Sequence, residues 1–335
     1  MQARLWRTEG DRAVCDLCPN ACRIAEGAVG RCGVRRVENG SLIALTYGLV
    51  SSIAVDPIEK KPVFHFHPGI SVLSVGSVGC SMRCGHCQNW QISRATPDSG
   101  IGLHQIDPVS LVDMAQKYRC PGIAFTYNEP IIWIEYVADV AAICRQRGLL
   151  TVMVTNGYVT PEGLDFIGES TDVWRVDLKG AREETYRTLC HVADAASVTA
   201  AAERARHRWG MHVEVVTNII PGINDTAGEA REMADWIVSG LGPDTPWHVT
   251  RFVPCLELAD REATPIATLE RFRRIGHEAG LHHVYLGNVA EPGGEDTVCP
   301  SCGAVAIVRS GYTINARATQ DGHCARCGRD LALVE

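Results

Sequence analysis

The sequence predicts an α/β protein whose main part is a partial or open (β/α) barrel, with a small cysteine-rich module at each end. Three observations lead to this class: short apolar segments alternate with helical patterns, polar residues follow many of the apolar segments, and most of the fifteen cysteines fall into three groups. Strands that alternate with helices indicate a parallel sheet with right-handed crossovers. With seven or eight strands, a partial barrel fits better than a flat sheet.

The alternation defines the expected elements and boundaries. The predicted strands lie at 72–75, 122–126, 150–155, 173–178, 212–218, 247–252 and 282–286. The predicted helices lie at 108–118, 131–147, 161–169, 195–208, 226–239 and 265–279. We place an N-terminal cysteine-rich module with short strands at 1–68, the barrel at 69–290 and a C-terminal module at 291–335.

Composition limits the classes of function. A chain of 335 residues with 46% hydrophobic residues has ample material for a core, and its net charge of −7 without a long basic run does not support nucleic-acid binding. Residues 1–7 lack the apolar core of a signal peptide, and no apolar run approaches the ~20 residues of a membrane span. We therefore expect a cytoplasmic protein without membrane contact, in which clustered cysteines bind metal instead of forming disulfides.

A loop after the first predicted barrel strand carries the most specific pattern. Cys80, Cys84 and Cys87 are separated by three and then two residues within 77–90. Iron–sulfur clusters are usually held by four cysteines, so three thiolates leave one iron of a cubane cluster open for another ligand. The alternative is three structural thiols near a strand end, which is less common for clustered cysteines in a cytosolic enzyme.

The N-terminal module carries four cysteines, at Cys15, Cys18, Cys22 and Cys32. This spacing is compatible with a tetrahedral zinc site or with an additional iron–sulfur cluster, and the residues alone do not separate the two. We favour structural zinc, because a small segment with little core needs a stabilising cross-link.

The C-terminal module contains two near-identical turns. Cys299-Pro-Ser-Cys302-Gly is followed by Cys324-Ala-Arg-Cys327-Gly, with short predicted strands at 306–308 and 312–314 between them. Paired Cys-x2-Cys-Gly turns at this separation predict a zinc ribbon. A rubredoxin-like iron is the alternative, because four thiolates suit either metal.

Polar side chains follow five of the predicted strands. The residues concerned are Thr126 to Glu129, Thr155 to Tyr158, Asp177 to Lys179, Thr217 to Asp225, and His248 with Arg251. The carboxyl ends of parallel strands meet at one edge of a sheet or one mouth of a barrel. We therefore expect a ligand pocket there, facing the cysteine loop.

These motifs, in this order, resemble the radical S-adenosylmethionine (SAM) superfamily and, within it, the pyruvate formate-lyase activating enzyme group. The similarity to the AmmeMemoRadiSam system radical SAM enzymes is the most extensive. It is carried by Cys-x2-Cys-Pro-Asn-x-Cys, Phe-His-Phe-x-Pro-Gly, Gly-Cys-x3-Cys-x2-Cys-Gln-Asn-Trp, Thr-Tyr-Asn-Glu-Pro, Thr-Asn-Gly-Tyr, Val-Asp-Leu-Lys-Gly and Asn-Ile-Ile-Pro-Gly-Ile-Asn-Asp. The resemblance implies a barrel of the radical SAM type.

The resemblance also implies a ligand for each motif. Cys80, Cys84 and Cys87 would bind a [4Fe–4S] cluster whose open iron chelates the amino and carboxylate groups of SAM. The residues matching those that meet the amino group, carboxylate, ribose or adenine of SAM are Asn128, Glu129, Asn156, Asp177, Lys179, Asn218 and His248. Relatives have Gly-Gly-Glu where this chain has Tyr-Asn-Glu. Thr155 and Asp177 match two of three residues that hold a monovalent cation in activating enzymes, and Val154 stands at the third position.

The implied reaction is reductive cleavage of SAM to methionine and a 5′-deoxyadenosyl radical, which abstracts hydrogen from an unidentified substrate. The substrate would be a small molecule or a modified residue. The alternative is a glycyl-radical enzyme activase acting on a backbone glycine, and a zinc-ribbon binding module on a noncatalytic barrel is disfavoured by the intact loop. The implied partners are an electron donor such as flavodoxin or ferredoxin, and Memo-like and AMMECR-type proteins.

A lone cysteine, Cys190, follows the strand that ends at Asp177. A thiol at the barrel mouth would donate hydrogen to a substrate radical or attack a substrate, so Cys190 is a candidate catalytic residue. The favoured alternative is that Cys190 is a small buried apolar residue.

Overall fold

The computed structural model describes residues 1–335 and begins with a group of short strands. A three-stranded antiparallel sheet is formed by β1 (Trp6–Glu9), β2 (Arg12–Cys15) and β3 (Arg23–Ile24). Two further antiparallel pairs follow, the first made of β4 (Arg35–Glu38) and β5 (Ser41–Ala44), the second of β6 (Leu49–Val50) and β9 (His104–Gln105). The antiparallel strand β7 (Ser52–Pro57) then joins the main sheet.

The main sheet has eight strands whose spatial order follows the chain. After β7 they are β8 (Ser71–Gly76), β10 (Gly122–Phe125), β11 (Leu150–Thr155), β12 (Val173–Asp177), β13 (His212–Ile219), β14 (Trp247–Arg251) and β15 (Val284–Gly287). All strands from β8 to β15 in this sheet are parallel. Because β7 and β15 are both edge strands, the sheet is open. An α/β fold with a mainly parallel, singly wound sheet is therefore confirmed.

The helices connect successive strands. They are α1 (Trp90–Ser93), α2 (Pro108–Lys117), α3 (Ile134–Gln146), α4 (Pro161–Gly168), α5 (Glu183–Thr185), α6 (Ala196–Trp209), α7 (Ala227–Trp236) and α8 (Ile266–Ala279). Three of them begin with a capping side chain that accepts a backbone hydrogen bond, namely Asp107, Thr160 and Thr226. Helices and sheet share one apolar core of 61 buried residues. None of the helices has the length and apolar character that crossing a membrane requires.

The inner side of the sheet is filled at one end by the segment 61–67, which links β7 to β8. Val63 and Phe66 belong to a second apolar cluster with side chains near the amino-terminal halves of the parallel strands. The backbone amides of Phe64 and His65 donate hydrogen bonds to the carboxylate of Glu214 on β13. We call residues 61–67 the plug. The plug leaves the carboxyl ends of the strands free to line a cavity.

The C-terminal module is made of short antiparallel strands. They are β16 (Thr297–Val298), β17 (Val305–Ser310) and β18 (Thr313–Arg317), followed by the pair β19 (Thr319–Gln320) and β20 (His323–Cys324). Arg309 on β17 is buried, donates to the carbonyl of Phe64 at 2.9 Å and lies over the Phe64 ring, with 4.4 Å from guanidinium carbon to ring centroid. The module is therefore fixed to the plug.

Candidate active site

The cysteine loop leaves β8 through a backbone turn that requires glycine. Gly79 has a φ of +88°, and a Cβ atom there would lie 2.6 Å from the carbonyl oxygen of Cys32. Asn128 then holds the loop from the other side, accepting a hydrogen bond from the amide of Ser77 at 2.9 Å and donating to the carbonyl of Gly79 at 3.1 Å. The strand-end motif around Asn128 thus positions the loop.

One cavity of about 700 Å³ collects the residues that the sequence predicted as a site. Its lining includes the loop cysteines and every predicted SAM-contacting position, that is Cys80, Cys84, Cys87, Asn128, Glu129, Thr155, Asn156, Asp177, Lys179, Asn218 and His248. No fourth cysteine lines it. The donor set therefore fits an iron–sulfur cluster with one iron left for a ligand other than cysteine.

Glu129 is held rigidly by the neighbouring strand end. Its carboxylate accepts hydrogen bonds from the amide of Ile131 at 2.9 Å, the hydroxyl of Thr155 at 2.7 Å and the amide of Asn156 at 2.8 Å. Burial raises the pKa of Glu129 to about 7, although these hydrogen bonds act in the opposite direction. The fixed carboxyl group faces the cavity beside the loop.

Asn156 lies directly against the cysteine loop. Its side-chain amide nitrogen is 3.6 Å from the sulfur of Cys80 and 3.1 Å from the hydroxyl of Ser81. Burial, followed by the nearby Glu129 carboxylate, raises the pKa of Cys80 well above its ordinary value. Metal binding to such thiols must release protons, and a donor at 3.6 Å helps to stabilise the resulting thiolate.

Three charged side chains, Arg175, Asp177 and Lys179, also line the cavity. Asp177 lies between Arg175 and Lys179, with nitrogen–oxygen distances of 2.5 Å and 2.9 Å. Burial lowers the pKa of Lys179, but the Asp177 carboxylate and the neighbouring thiols outweigh this effect and raise it above its ordinary value. The ammonium group of Lys179 therefore stays charged and offers the cavity a fixed positive group.

His248 is part of a buried network that the sequence reasoning missed. Its Nε2 lies 2.6 Å from Glu214, whose side chain is fully buried and also receives His212 at 2.9 Å. Burial raises the pKa of Glu214, yet the hydrogen bonds from His212 and His248 hold it well below its ordinary value. The sequence pattern contained this information, because His212, Glu214 and Asn218 are separated by even numbers of residues and therefore lie on one face of a strand.

Tyr127 belongs to the strand-end segment predicted to line the pocket, although no individual role was predicted for it. It lines the cavity and takes a φ of +74°, in the region that favours glycine. Its hydroxyl donates to Asp56 at 2.7 Å, and the ammonium of Lys61 lies 4.7 Å from its ring centroid. Tyr127 thus adopts a backbone conformation that glycine would adopt more easily.

Cys190 lies at the end of a π-helical turn, Tyr186–Cys190. It is fully buried, is absent from the cavity lining, and accepts a backbone hydrogen bond from Arg83 through its carbonyl. A side-chain hydrogen bond with Cys190, followed by burial, raises the pKa of Cys84. The structure therefore places Cys190 behind the loop, in contact with a loop cysteine.

The terminal cysteine groups differ in spacing. The sulfurs of Cys299, Cys302, Cys324 and Cys327 all lie within 4.8 Å of one another, which is compatible with a tetrahedral metal site in a zinc ribbon. Cys15, Cys18, Cys22 and Cys32 surround a separate small cavity next to the barrel. Neither group touches the main cavity.

Comparison with known proteins identifies one protein family and several similar proteins. Residues 74–237 match the sequence model of the Radical SAM superfamily. An uncharacterized protein of Methanocaldococcus jannaschii is 39% identical over 332 residues, which span 98% of this chain and 97% of that protein. The pyruvate formate-lyase 1-activating enzyme of Escherichia coli K12 is 27% identical over 177 residues, covering 50% of this chain and 69% of that enzyme.

Solved structures include a domain of a pyruvate-formate lyase-activating enzyme from Bacteroides vulgatus. It is 17% identical, has a TM-score of 0.43 and covers 50% of this chain and 99% of that domain. A radical SAM methyltransferase from Sphaerobacter thermophilus is 16% identical with a TM-score of 0.49, covering 65% of this chain and 66% of that chain.

A singly wound α/β sheet whose strand ends face a three-cysteine loop defines a cofactor-dependent enzyme. Residues 74–237 form a radical SAM superfamily domain, and the chain is similar to the pyruvate formate-lyase activating enzymes. A domain of this superfamily implies a [4Fe–4S] cluster, SAM, and a reductant such as flavodoxin.

Proposed function

We propose that this enzyme binds a [4Fe–4S] cluster through Cys80, Cys84 and Cys87 and uses it to generate a substrate radical from SAM. The observation that carries the proposal is that the three loop thiols and the polar strand ends line one cavity. When bound, the cluster and SAM together supply reductive cleavage of the sulfonium and a 5′-deoxyadenosyl radical that abstracts hydrogen from the unidentified substrate.

The chain's own residues would bind and orient SAM. Asn128 and Glu129 would meet its amino group, and the fixed positive charge of Lys179 suits its carboxylate. The remaining positions in the cavity would contact the carboxylate, ribose or adenine, and they are Asn156, Asp177, Asn218 and His248. Thr155 and Asp177 would be the protein ligands of a monovalent cation, although Thr155 donates its hydroxyl to Glu129 here.

Cys190 remains a proposed catalytic thiol, but its position gives more support to the alternative, a small buried apolar residue. A hydrogen donor must reach the substrate, whereas Cys190 is buried outside the cavity and contacts Cys84. A positioning role toward the loop follows more directly from this contact.

The C-terminal four cysteines are proposed to hold a structural zinc ion. Their mutual approach within 4.8 Å supports a mononuclear tetrahedral site. Because Arg309 fixes this module to the plug, the zinc would stabilise the end of the sheet that the plug fills.

A second candidate function, activation of a glycyl-radical enzyme, is favoured by the similarity to pyruvate formate-lyase 1-activating enzyme. We prefer a small molecule or a modified residue as substrate, within an AmmeMemoRadiSam-type system that includes Memo-like and AMMECR-type partners. A stable complex with a glycyl-radical enzyme, detected by size-exclusion chromatography, would instead favour the second function.

The test uses anaerobically reconstituted protein with SAM and dithionite. We expect the electron paramagnetic resonance (EPR) spectrum of the reduced cluster to change on addition of SAM, and 5′-deoxyadenosine and methionine to accumulate. The variant Cys84→Ala should lose both signals, whereas Cys144→Ala, a buried core cysteine on α3, should retain them. Full SAM cleavage by Cys84→Ala would refute the proposal.

The substrate requires a separate search. The reconstituted enzyme would be incubated with a cell extract, and mass spectrometry would identify metabolites or peptides that lose hydrogen or gain a SAM-derived group. Extract treated with Cys84→Ala is the matched control.

A further inference from the structure

The N-terminal cysteines form a preformed site of their own. Cys15, Cys18, Cys22 and Cys32 line a cavity of about 20 Å³ beside the cysteine loop of the barrel. Cys15 and Cys32 are buried, and the other two are half-buried. Four thiols converge from β2, the following turn and the segment before β4, so the fold brings them together.

The spacing of these sulfurs separates a cluster from a single ion. A zinc–sulfur bond of about 2.3 Å places the four sulfurs of a tetrahedral site about 3.8 Å apart, with no space left between them. The C-terminal four cysteines meet this requirement, with sulfur pairs at 3.6 Å and 3.8 Å. The N-terminal sulfurs do not meet it, because no three of them lie within 4.8 Å of one another as the C-terminal four do.

A buried arginine faces the same cavity. Arg35 is 1% exposed and pairs through one terminal nitrogen with Glu135 at 2.7 Å. Its Nε and its other terminal nitrogen have no hydrogen-bond partner. Buried donors of this kind are normally satisfied, so the cavity is expected to hold an acceptor. An anionic group rich in sulfur would supply both the acceptors and the opposing charge.

We propose that Cys15, Cys18, Cys22 and Cys32 hold a second [4Fe–4S] cluster, fully ligated by cysteine, with Arg35 as its hydrogen-bonding cation. A cubane core places irons and sulfides between the thiolates and so matches sulfurs that lie farther apart than a single ion allows. This assignment goes beyond the proposed function, which needs only the cluster at the barrel loop. It also replaces the zinc that the sequence alone favoured at this site.

The second cluster lies next to the first. The side-chain amide of Asn20 is 3.5 Å from the sulfur of Cys18 and donates to the carbonyl of Ser81 at 2.9 Å. Ser81 adjoins Cys80 in sequence, so one side chain connects the two cysteine groups. The geometry assigns the N-terminal cluster an electron-relay role: one electron from a flavodoxin- or ferredoxin-type donor reduces it, and the same electron then passes to the loop cluster without any atom transfer.

The decisive experiment removes the loop cluster and counts the metal that remains. In a variant with Cys80, Cys84 and Cys87 all changed to Ala, we expect about four irons, four sulfides and one zinc per chain after anaerobic reconstitution. Mössbauer spectra of this variant should show a [4Fe–4S] cluster. An iron-free protein with about two zinc ions per chain would overturn the proposal, and so would a two-iron or a single-iron site.

A complementary variant leaves the loop intact. Cys18→Ser combined with Cys22→Ser should halve the iron content while the remaining cluster still changes its EPR spectrum with SAM. Iron content equal to that of the wild type would overturn the second cluster. Because the loop variant tests the N-terminal site without SAM chemistry, failure here and failure of the proposed function are distinguishable.

The short distance between clusters that a relay requires is tested by magnetic coupling. In fully reduced wild-type protein, two neighbouring paramagnetic clusters should broaden each other's EPR spectra and relax faster. Both effects should vanish in the loop variant. A wild-type spectrum equal to the sum of the two single-cluster spectra would contradict the proposed neighbourhood of the clusters.

Discussion

Tyr127 donates its hydroxyl to Asp56 at 2.7 Å while its own backbone lies at a φ of +74°. A bulky residue in this region carries backbone strain of about 1–3 kcal/mol. The hydrogen bond to Asp56 and the ammonium of Lys61 over the ring act against that strain. The side chain of Tyr127 therefore holds a turn that glycine would adopt without help.

We expect Tyr127→Phe to lower the free energy of unfolding by about 1 kcal/mol, because one hydrogen bond to a charged acceptor is lost. Chemical denaturation of the anaerobic protein measures the change. Tyr312→Phe is the control, because the Tyr312 ring is largely exposed. Equal stability of the wild type and Tyr127→Phe would show that the Asp56 contact does not offset the strain.

We expect Cys190→Ala to shift the potential of the loop cluster to a more negative value, because the Cys190 thiol lies beside Cys84 and becomes the available hydrogen-bond donor to that sulfur once Cys84 binds iron as a thiolate. Substrate turnover per SAM cleaved should stay unchanged. Redox titration followed by EPR measures the potential, and Cys120→Ala, a buried cysteine away from the loop, is the control. Normal SAM cleavage with failed substrate turnover would instead establish Cys190 as a catalytic thiol.

The double variant Cys324→Ser and Cys327→Ser should lose about one zinc ion per chain and become sensitive to proteolysis within 297–335, because the module has little core of its own. Iron bound at the barrel loop should be retained, with SAM cleavage partly intact. Metal analysis and limited proteolysis measure both effects. Unchanged zinc content would contradict the ribbon site, and Cys120→Ser controls for general loss of a thiol.

The burial of His283 predicts that the folded protein loses stability as the pH falls. Burial lowers the pKa of His283 to about 4, with the nearby Asp244 carboxylate opposing this shift. Between pH 6.5 and 4 the unfolded chain therefore binds a proton that the folded chain does not, and stability falls as the pH falls. The maximum slope is about 1.4 kcal/mol per pH unit for one such group.

Replacing His283 should flatten the dependence of the free energy of unfolding on pH. We expect His283→Leu to lose less stability than the wild type between pH 6.5 and 5, measured by urea denaturation at each pH. His104→Gln changes an exposed histidine and should follow the wild-type curve. Parallel curves for wild type and His283→Leu would contradict the pKa assigned to His283.

Local patterns predicted the strands and helices closely. The strand expected at 212–218 is observed as His212–Ile219, and the helix expected at 265–279 as Ile266–Ala279. The helix expected at 131–147 begins later, at Ile134, after a 3₁₀ turn at Pro130–Trp133. The carboxylate of Glu129 accepts the Ile131 amide and tightens this first turn.

Contacts between distant segments could not be predicted. In the plug, the backbone amide of Phe64 binds Glu214 across a sequence separation of 150, and no local periodicity encodes this pairing. The left-handed backbone of Tyr127 was equally hidden, because bulky residues seldom adopt it. The sequence favoured a buried Cys190, as observed, but its position behind Cys84 depends on how a π-helical turn packs, which no local pattern encodes.

The contact between Arg309 and Phe64 has a consequence for synthesis of the chain. These residues are 245 positions apart, yet the guanidinium of Arg309 covers the Phe64 ring and binds its carbonyl. At about 5–20 residues per second, the ribosome needs roughly 10–50 seconds to add that length. During this interval the C-terminal module cannot yet cover the plug. Chaperones therefore have a defined period in which apolar residues of the plug are accessible.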